Sequence, residues 1–303
     1  MSKKRKIRPW RVLLLAGIVA LILLLLIVFI HHLFFSQPKA EKTSSESATS
    51  VQISESTVSE SDTPEITDSS ARIAQILQTA PGEVVDVEGL DAGALSECFT
   101  DTPVSEELAE QIRDRLYVDG FENLSIEDIR DIRVLYRDFE GQTRIGQLLV
   151  HRLIARDAEE IFQELYEMNY PIEVINISLD HPVDEESTQL NRTRALYTDF
   201  IDGQPAASSH SYGLSIDINP LYNPQVILDE NGSVEAVIPI TAQDYVDRDQ
   251  ENPYFIKAND PIVQIFEKHG FMWGGTWTGR EDYQHFEKGY DNANRVIDLS
   301  AFE

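Results

Sequence analysis

The chain has 303 residues, with 52 acidic against 25 basic side chains and a formal net charge of -27. Six of the cations stand in the first eleven residues, which leaves 19 basic against 52 acidic groups beyond them. Nucleic-acid phosphates demand a basic surface, so no nucleic-acid partner is expected, and the acidity reads as solubility.

Residues 1–11 form a basic flank, Met-Ser-Lys-Lys-Arg-Lys-Ile-Arg-Pro-Trp-Arg, ahead of Val12–Ile30, a run without a polar side chain. A bilayer core needs roughly twenty apolar residues. The expectation is a transmembrane anchor over 12–35, with a cytoplasmic N-terminus by the positive-inside rule and everything after it outside the cell. A cleaved signal peptide is the rival; the run is long for one, and Gln37-Pro-Lys-Ala40 is a poor cleavage site. Residues 36–70 are rich in Ser, Thr, Glu and Asp and read as a disordered linker. As a coil it spans roughly 30–35 Å.

Globular patterning begins at Ala71. Ala71–Gln78 is a short helix candidate. Ser105 is placed to cap a second, with Leu108, Ile112 and Leu116 at helical spacing. Ser125-Ile-Glu-Asp128 resembles a capping box. Residues 71–131 are expected as a helical cap or small module, and 132–303 as the main domain. That domain reads as strands at 133–136, 146–150, 171–177, 213–218, 234–240 and 271–275. Two helices are read among them, at 152–169 and 261–269, the second stopped by Gly270. Strands in runs with two helices predict an α+β fold. Cys98 is the one cysteine, so no internal disulfide forms, and it reads as a spectator.

Two segments carry chemistry: His210-Ser-Tyr-Gly-Leu-Ser-Ile-Asp217 and Asp282-Tyr-Gln-His285-Phe-Glu287. A bend at Gly213 lets His210 meet Asp217 on a strand, and His285 can complete a three-ligand set. Asp282 can then serve as base for a metal-activated water, and Glu287 can orient His285. Such spacings also arise by chance in solvated loops. Calcium is the weaker metal, because imidazole suits zinc. His31, His32, His151, His181 and His269 have no partner at motif spacing and read as ordinary residues.

Ser209–Pro220 with Trp273-Gly-Gly and Asp282–Glu287 resembles the M15 zinc peptidases, over roughly residues 132–287. These are D-alanyl-D-alanine carboxypeptidases and L-alanyl-D-glutamate endopeptidases that act on peptidoglycan stem peptides. The resemblance implies one catalytic Zn2+ on His210, Asp217 and His285, and Asp282 as general base. It implies a small antiparallel sheet with flanking helices, the core shared with the Hedgehog signalling domain. It also implies an arginine for a substrate carboxylate, Arg194 first and Arg192 second, with Trp273 and Trp277 lining the cleft. Asp282, where carboxypeptidases usually carry Glu, resembles the endopeptidase branch. Thr276 and Gln284 depart from the family pattern. The contrasting class is a non-catalytic zinc module that binds the wall or signals.

Overall fold

The computed structural model describes residues 68–116, 124–177, 179, 191–201, 204–206, 208–294 and 296–302. The expected anchor, His31, His32, His181 and the linker up to residue 67 lie outside them. Among the described residues no helix is long and apolar enough to cross a membrane.

Helix α1 (Asp68–Gln78) starts three residues inside the stretch expected as linker. Short α2 (Ala92–Ser96) is capped by Asp91, whose carboxylate accepts from the Ala94 amide at 2.9 Å. Strand β1 (Thr100–Pro103) leads to α3 (Glu106–Arg115), where the Ser105 hydroxyl accepts from the Leu108 amide at 3.2 Å. Glu106 and Glu107 at its start and Arg113 and Arg115 at its end complement the helix dipole.

Ser125–Asp128 does not cap an α-helix. It makes a single 3-10 turn without a capping bond, and the Ser125 hydroxyl donates to the Glu127 carboxylate instead. Ile129, Ile132, Val134 and Tyr136 then favour an extended chain, and β2 (Ile129–Arg137) pairs with β3 (Thr143–His151) over nine residues each. β1 adds to the other edge of β2. β2 therefore straddles the expected boundary at 131–132. Its Ile132 and Val134 share one core with Ile73, Ile76, Val85 and Phe99 from upstream. Helix α4 (Ala155–Glu167) buries Ala158, Ile161, Phe162, Leu165 and Tyr166 in that core, the broad apolar face its sequence predicts.

The expected strand at 171–177 contracts to β4 (Val174–Ile175), which pairs in parallel with β5 (Arg192–Thr193). Asn219 accounts for the loss. Its side chain accepts from the Glu173 amide at 3.1 Å and donates to the Pro171 carbonyl at 2.9 Å, drawing that backbone off a ladder. A hairpin of β6 (Asp199–Ile201) and β7 (Gln204–Ala206) follows.

The remaining strands are β8 (Ser215–Asp217), β9 (Gln225–Leu228), β10 (Val234–Ile238), β11 (Met272–Trp273), β12 (Arg280–Asp282), β13 (His285–Glu287), β14 (Tyr290–Asp291) and β15 (Val296–Ile297). They form sheets β10-β9-β12 and β11-β13-β8 and the pair β14-β15. The fold is thus mixed, with helices and several small antiparallel sheets where one sheet was expected. Helix α5 (Pro261–Lys268) ends at Gly270, whose φ of 80° is the left-handed stop the sequence predicts. Its Phe266 stacks on Phe286 at 3.9 Å and meets Phe271 edge-on at 5.4 Å, which anchors β13 from below. Burying a ring of that size contributes about 1.5–3 kcal/mol.

Phe99 sits in the shared core with its ring 6.0 Å from Tyr166 of α4. Phe99→Ala is expected to lower the stability of a single unfolding transition by about 3–5 kcal/mol. Urea denaturation checks this. A separate early transition that carries the whole loss would show an independent N-terminal module instead.

Candidate metal centre

His210 opens a 3-10 turn, His210–Tyr212, that ends at Gly213 with a φ of 66°. The glycine is required twice over. Its backbone is left-handed, and a Cβ there would stand 2.8 Å from the His151 amide nitrogen. That amide donates to the Gly213 carbonyl at 2.8 Å, which ties the turn to the end of β3. Asp217 closes β8 and stands directly opposite His285 of β13.

Three ligand atoms converge. His210 Nε2 lies 3.1 Å from Asp217 Oδ1 and 3.1 Å from His285 Nδ1, and His285 Nδ1 lies 3.2 Å from Asp217 Oδ1. The outward nitrogens have their own acceptors. His210 Nδ1 is 2.7 Å from the Ala195 carbonyl, and His285 Nε2 is 3.2 Å from Glu287 Oε2. With the outward nitrogens engaged by their own acceptors, two ring nitrogens and a carboxylate oxygen face one another. A proton or a metal cation between them makes that arrangement favourable. Tetrahedral metal–nitrogen bonds of about 2.0–2.1 Å give ligand–ligand edges of about 3.3 Å, close to the triangle seen. The three residues are all buried and form the group able to hold a metal ion among the described residues.

The electrostatics agree. Burial alone would raise the Asp217 carboxyl, but the charges and hydrogen bonds of His210 and His285 hold it well below the carboxylate range. Burial would lower His285, yet Asp217, Glu287 and Asp282 raise it to about 10. Asp282 is raised, first by burial and then by the Asp217 charge. The cluster draws positive charge, whether proton or metal.

Asp282 ends β12 at 4% exposure. Its Oδ2 accepts from the Gln225 amide, while its Oδ1 is buried without a hydrogen-bond partner. Gly274 is wedged against it. A Cβ there would stand 2.9 Å from Asp282 Cβ and 3.3 Å from His285 Cβ. The base candidate and the ligand therefore approach the same point of backbone from two sides.

The other expected residues separate. Glu287 is buried beside His285, and its second oxygen accepts from Asn292 at 2.6 Å. Arg194 pairs through its backbone with Asp217, lays its guanidinium over the Tyr197 ring at 4.0 Å and puts Nε 3.6 Å from Asp217 Oδ2. Arg192 lies on β5, two positions earlier, with its backbone opposite Val174. Trp277 places its ring 5.2 Å from that of His285, with Arg280 over its other ring contact at 5.1 Å. Trp273 is in the core and not in a cleft. It is 5% exposed, and its indole N–H donates to the Tyr283 carbonyl at 3.0 Å. Cys98 is buried and its thiol is pushed up to about 11 by burial, which suits a spectator.

Two histidines read as ordinary have definite surroundings. His151 is buried and accepts from the Leu153 amide at 3.1 Å. His269 is packed among Asp157, Glu160 and Glu164 of α4. Motif reading also missed Tyr197, whose hydroxyl donates to Asp217 Oδ2 at 3.1 Å and whose ring stacks on His210 at 4.1 Å. It missed Ser209, 3.4 Å from His285 Nε2, and Gln225. No spacing rule marks them, because each reaches the site across the fold.

The raised His285 stabilises the metal-free fold fully below about pH 6.5, and that contribution fades as pH rises through about 10. With a chelator the unfolding midpoint is expected to fall between about pH 7 and pH 10, and saturating zinc is expected to remove most of that slope. Calorimetry at several pH values checks it; a metal-free midpoint that rises over the range contradicts a cation-seeking cluster.

No curated protein and no solved structure matches the chain. A family model described as D-alanyl-D-alanine carboxypeptidase, of the M15 peptidases, matches residues 202–288, a stretch that contains the whole donor triangle and Asp282. Over that region the chain is similar to the M15 peptidases.

Proposed function

We propose that the chain is a membrane-anchored zinc peptidase that hydrolyses peptidoglycan stem peptides outside the cell, with the L-alanyl-D-glutamate bond favoured over the terminal D-alanyl-D-alanine bond. The observation that carries the reading is the donor triangle of His210, Asp217 and His285, with buried Asp282 packed against the same glycine, Gly274, as His285. Two nitrogens and one oxygen with a further position left open suit catalytic zinc, whereas calcium takes six to eight oxygens.

Zinc held there supplies Lewis acidity, which polarises a carbonyl and makes water easier to deprotonate. Asp282 Oδ1 takes a proton from the attacking water and returns it to the leaving amine, so one water is consumed and one C–N bond breaks. Tyr197 and Glu287 hold the ligands in orientation through Asp217 and His285. Arg194 is the proposed holder of a substrate carboxylate, suited by its two-pronged guanidinium, with Arg192 second. Trp277 flanks His285 and is placed to line a substrate cleft there. The basic flank and Val12–Ile30 supply the anchor, and the acidic linker lets the peptidase reach wall peptides away from the membrane.

The test incubates the protein with muropeptides and weighs the products. Cleavage after L-alanine supports the endopeptidase, and loss of one alanine means a carboxypeptidase. Asp282→Ala is expected to keep its zinc and lose about 10²–10⁴ in kcat. If wild type binds zinc and leaves every muropeptide intact, the protein is a non-catalytic zinc module and the reading is wrong.

A further inference from the structure

Among the described residues, Gln225 is the side chain that hydrogen-bonds to Asp282, and it does so from the middle of a sheet. Strand β9 lies between β10 and β12, so Gln225 has Ile238 opposite on one side and Asp282 opposite on the other. Directly opposed residues put their Cβ atoms about 4.5–5.5 Å apart on one face, which brings the Gln225 amide to the Asp282 carboxylate. The amide donates to Oδ2 alone. The turn that follows is also secured: the Tyr283 amide donates to the Pro224 carbonyl at 3.3 Å, and the Arg248 guanidinium covers the Tyr283 ring at 4.4 Å.

That one-sided bond has a chemical consequence. An N–H donor keeps Oδ2 an acceptor, so a proton arriving at Asp282 goes to Oδ1. Oδ1 is the oxygen that is buried without a hydrogen-bond partner, on a residue that packs against Gly274 together with His285.

We infer that Gln225 is a positioning residue for the proposed reaction: it fixes the Asp282 carboxylate and directs proton transfer to Oδ1. This rests on Asp282 being the base. Gln225→Met keeps the volume and removes the donor, and Gln225→Asn keeps the amide but shortens its reach. Both, made in the full-length chain, are expected to lower kcat about 10- to 100-fold on the wild-type substrate. KM and zinc per chain stay unchanged. On an Asp282→Asn background the same substitutions are expected to add nothing.

A second readout needs no substrate. In the cobalt-loaded chain, the pH midpoint of the visible spectrum is expected to move in Gln225→Met in the same sense as in Asp282→Asn. The inference is overturned if Gln225→Met keeps kcat within about threefold, if its losses come with lost metal, or if its cobalt midpoint stays at wild type while that of Asp282→Asn moves. Wild-type inactivity on muropeptides would count against the peptidase reading, and the cobalt comparison would still decide the role of Gln225.

Discussion

The register between β13 and β8 puts His285 opposite Asp217, Phe286 opposite Ile216 and Glu287 opposite Ser215. A slip of one residue would turn every side chain of a strand to the other face, so His285 would enter the core and Phe286 would face the ligands. Three pairs are few to hold a register, and neighbours reinforce them. The Ile218 amide donates to Gln284 and the Lys288 amide to Leu214, each at 3.0 Å, extending the ladder at both ends. Phe286 and Ile216 are buried in the main core, with Phe266 stacked beneath, so the slipped state would expose a large apolar surface. The backbone of Arg194 bonds to the outer edge of Asp217 in both directions, at 3.1 and 2.9 Å. Hydrophobic burial one residue away from each ligand thus sets the position of two charged groups that would not choose to be buried together.

The third donor of the triangle and Asp282 come from elements that are separate in sequence. His210 is carried on a turn that Gly213 bends and His151 ties to the long β2-β3 hairpin. Asp282 comes from a different sheet, where β9 and β12 pair. Gly274 lets the two meet, because any side chain there would push Asp282 and His285 apart. The same construction explains the electrostatics. Asp217, Asp282 and Glu287 crowd around two imidazoles in a water-poor site, and the balance favours a bound cation.

The convergence of His210, Asp217 and His285 was legible because they lie in two short segments whose residue types have few other uses in that order. The bend at Gly213, the Ser105 cap and the Gly270 stop were legible for a local reason: each depends on one residue's backbone or side chain. What was not legible is what depends on pairing at a distance. Gln225 meets Asp282 across 57 positions and Tyr197 meets Asp217 across 20. Ser125–Asp128 had the composition of a cap, and the β-branched run that follows overrode it. Trp273 and Trp277 were indistinguishable in sequence, and only the turn at Gly274–Thr276 sends one into the core and the other beside His285.

The central claim is that one metal ion is held by two imidazole nitrogens and a carboxylate oxygen. X-ray absorption at the zinc edge of the purified, zinc-loaded chain reads that shell directly. The account predicts a nitrogen and oxygen shell at about 2.0–2.1 Å with an imidazole scattering pattern for two rings and no sulfur. A sulfur contribution near 2.3 Å, or a shell of oxygen alone, would contradict it.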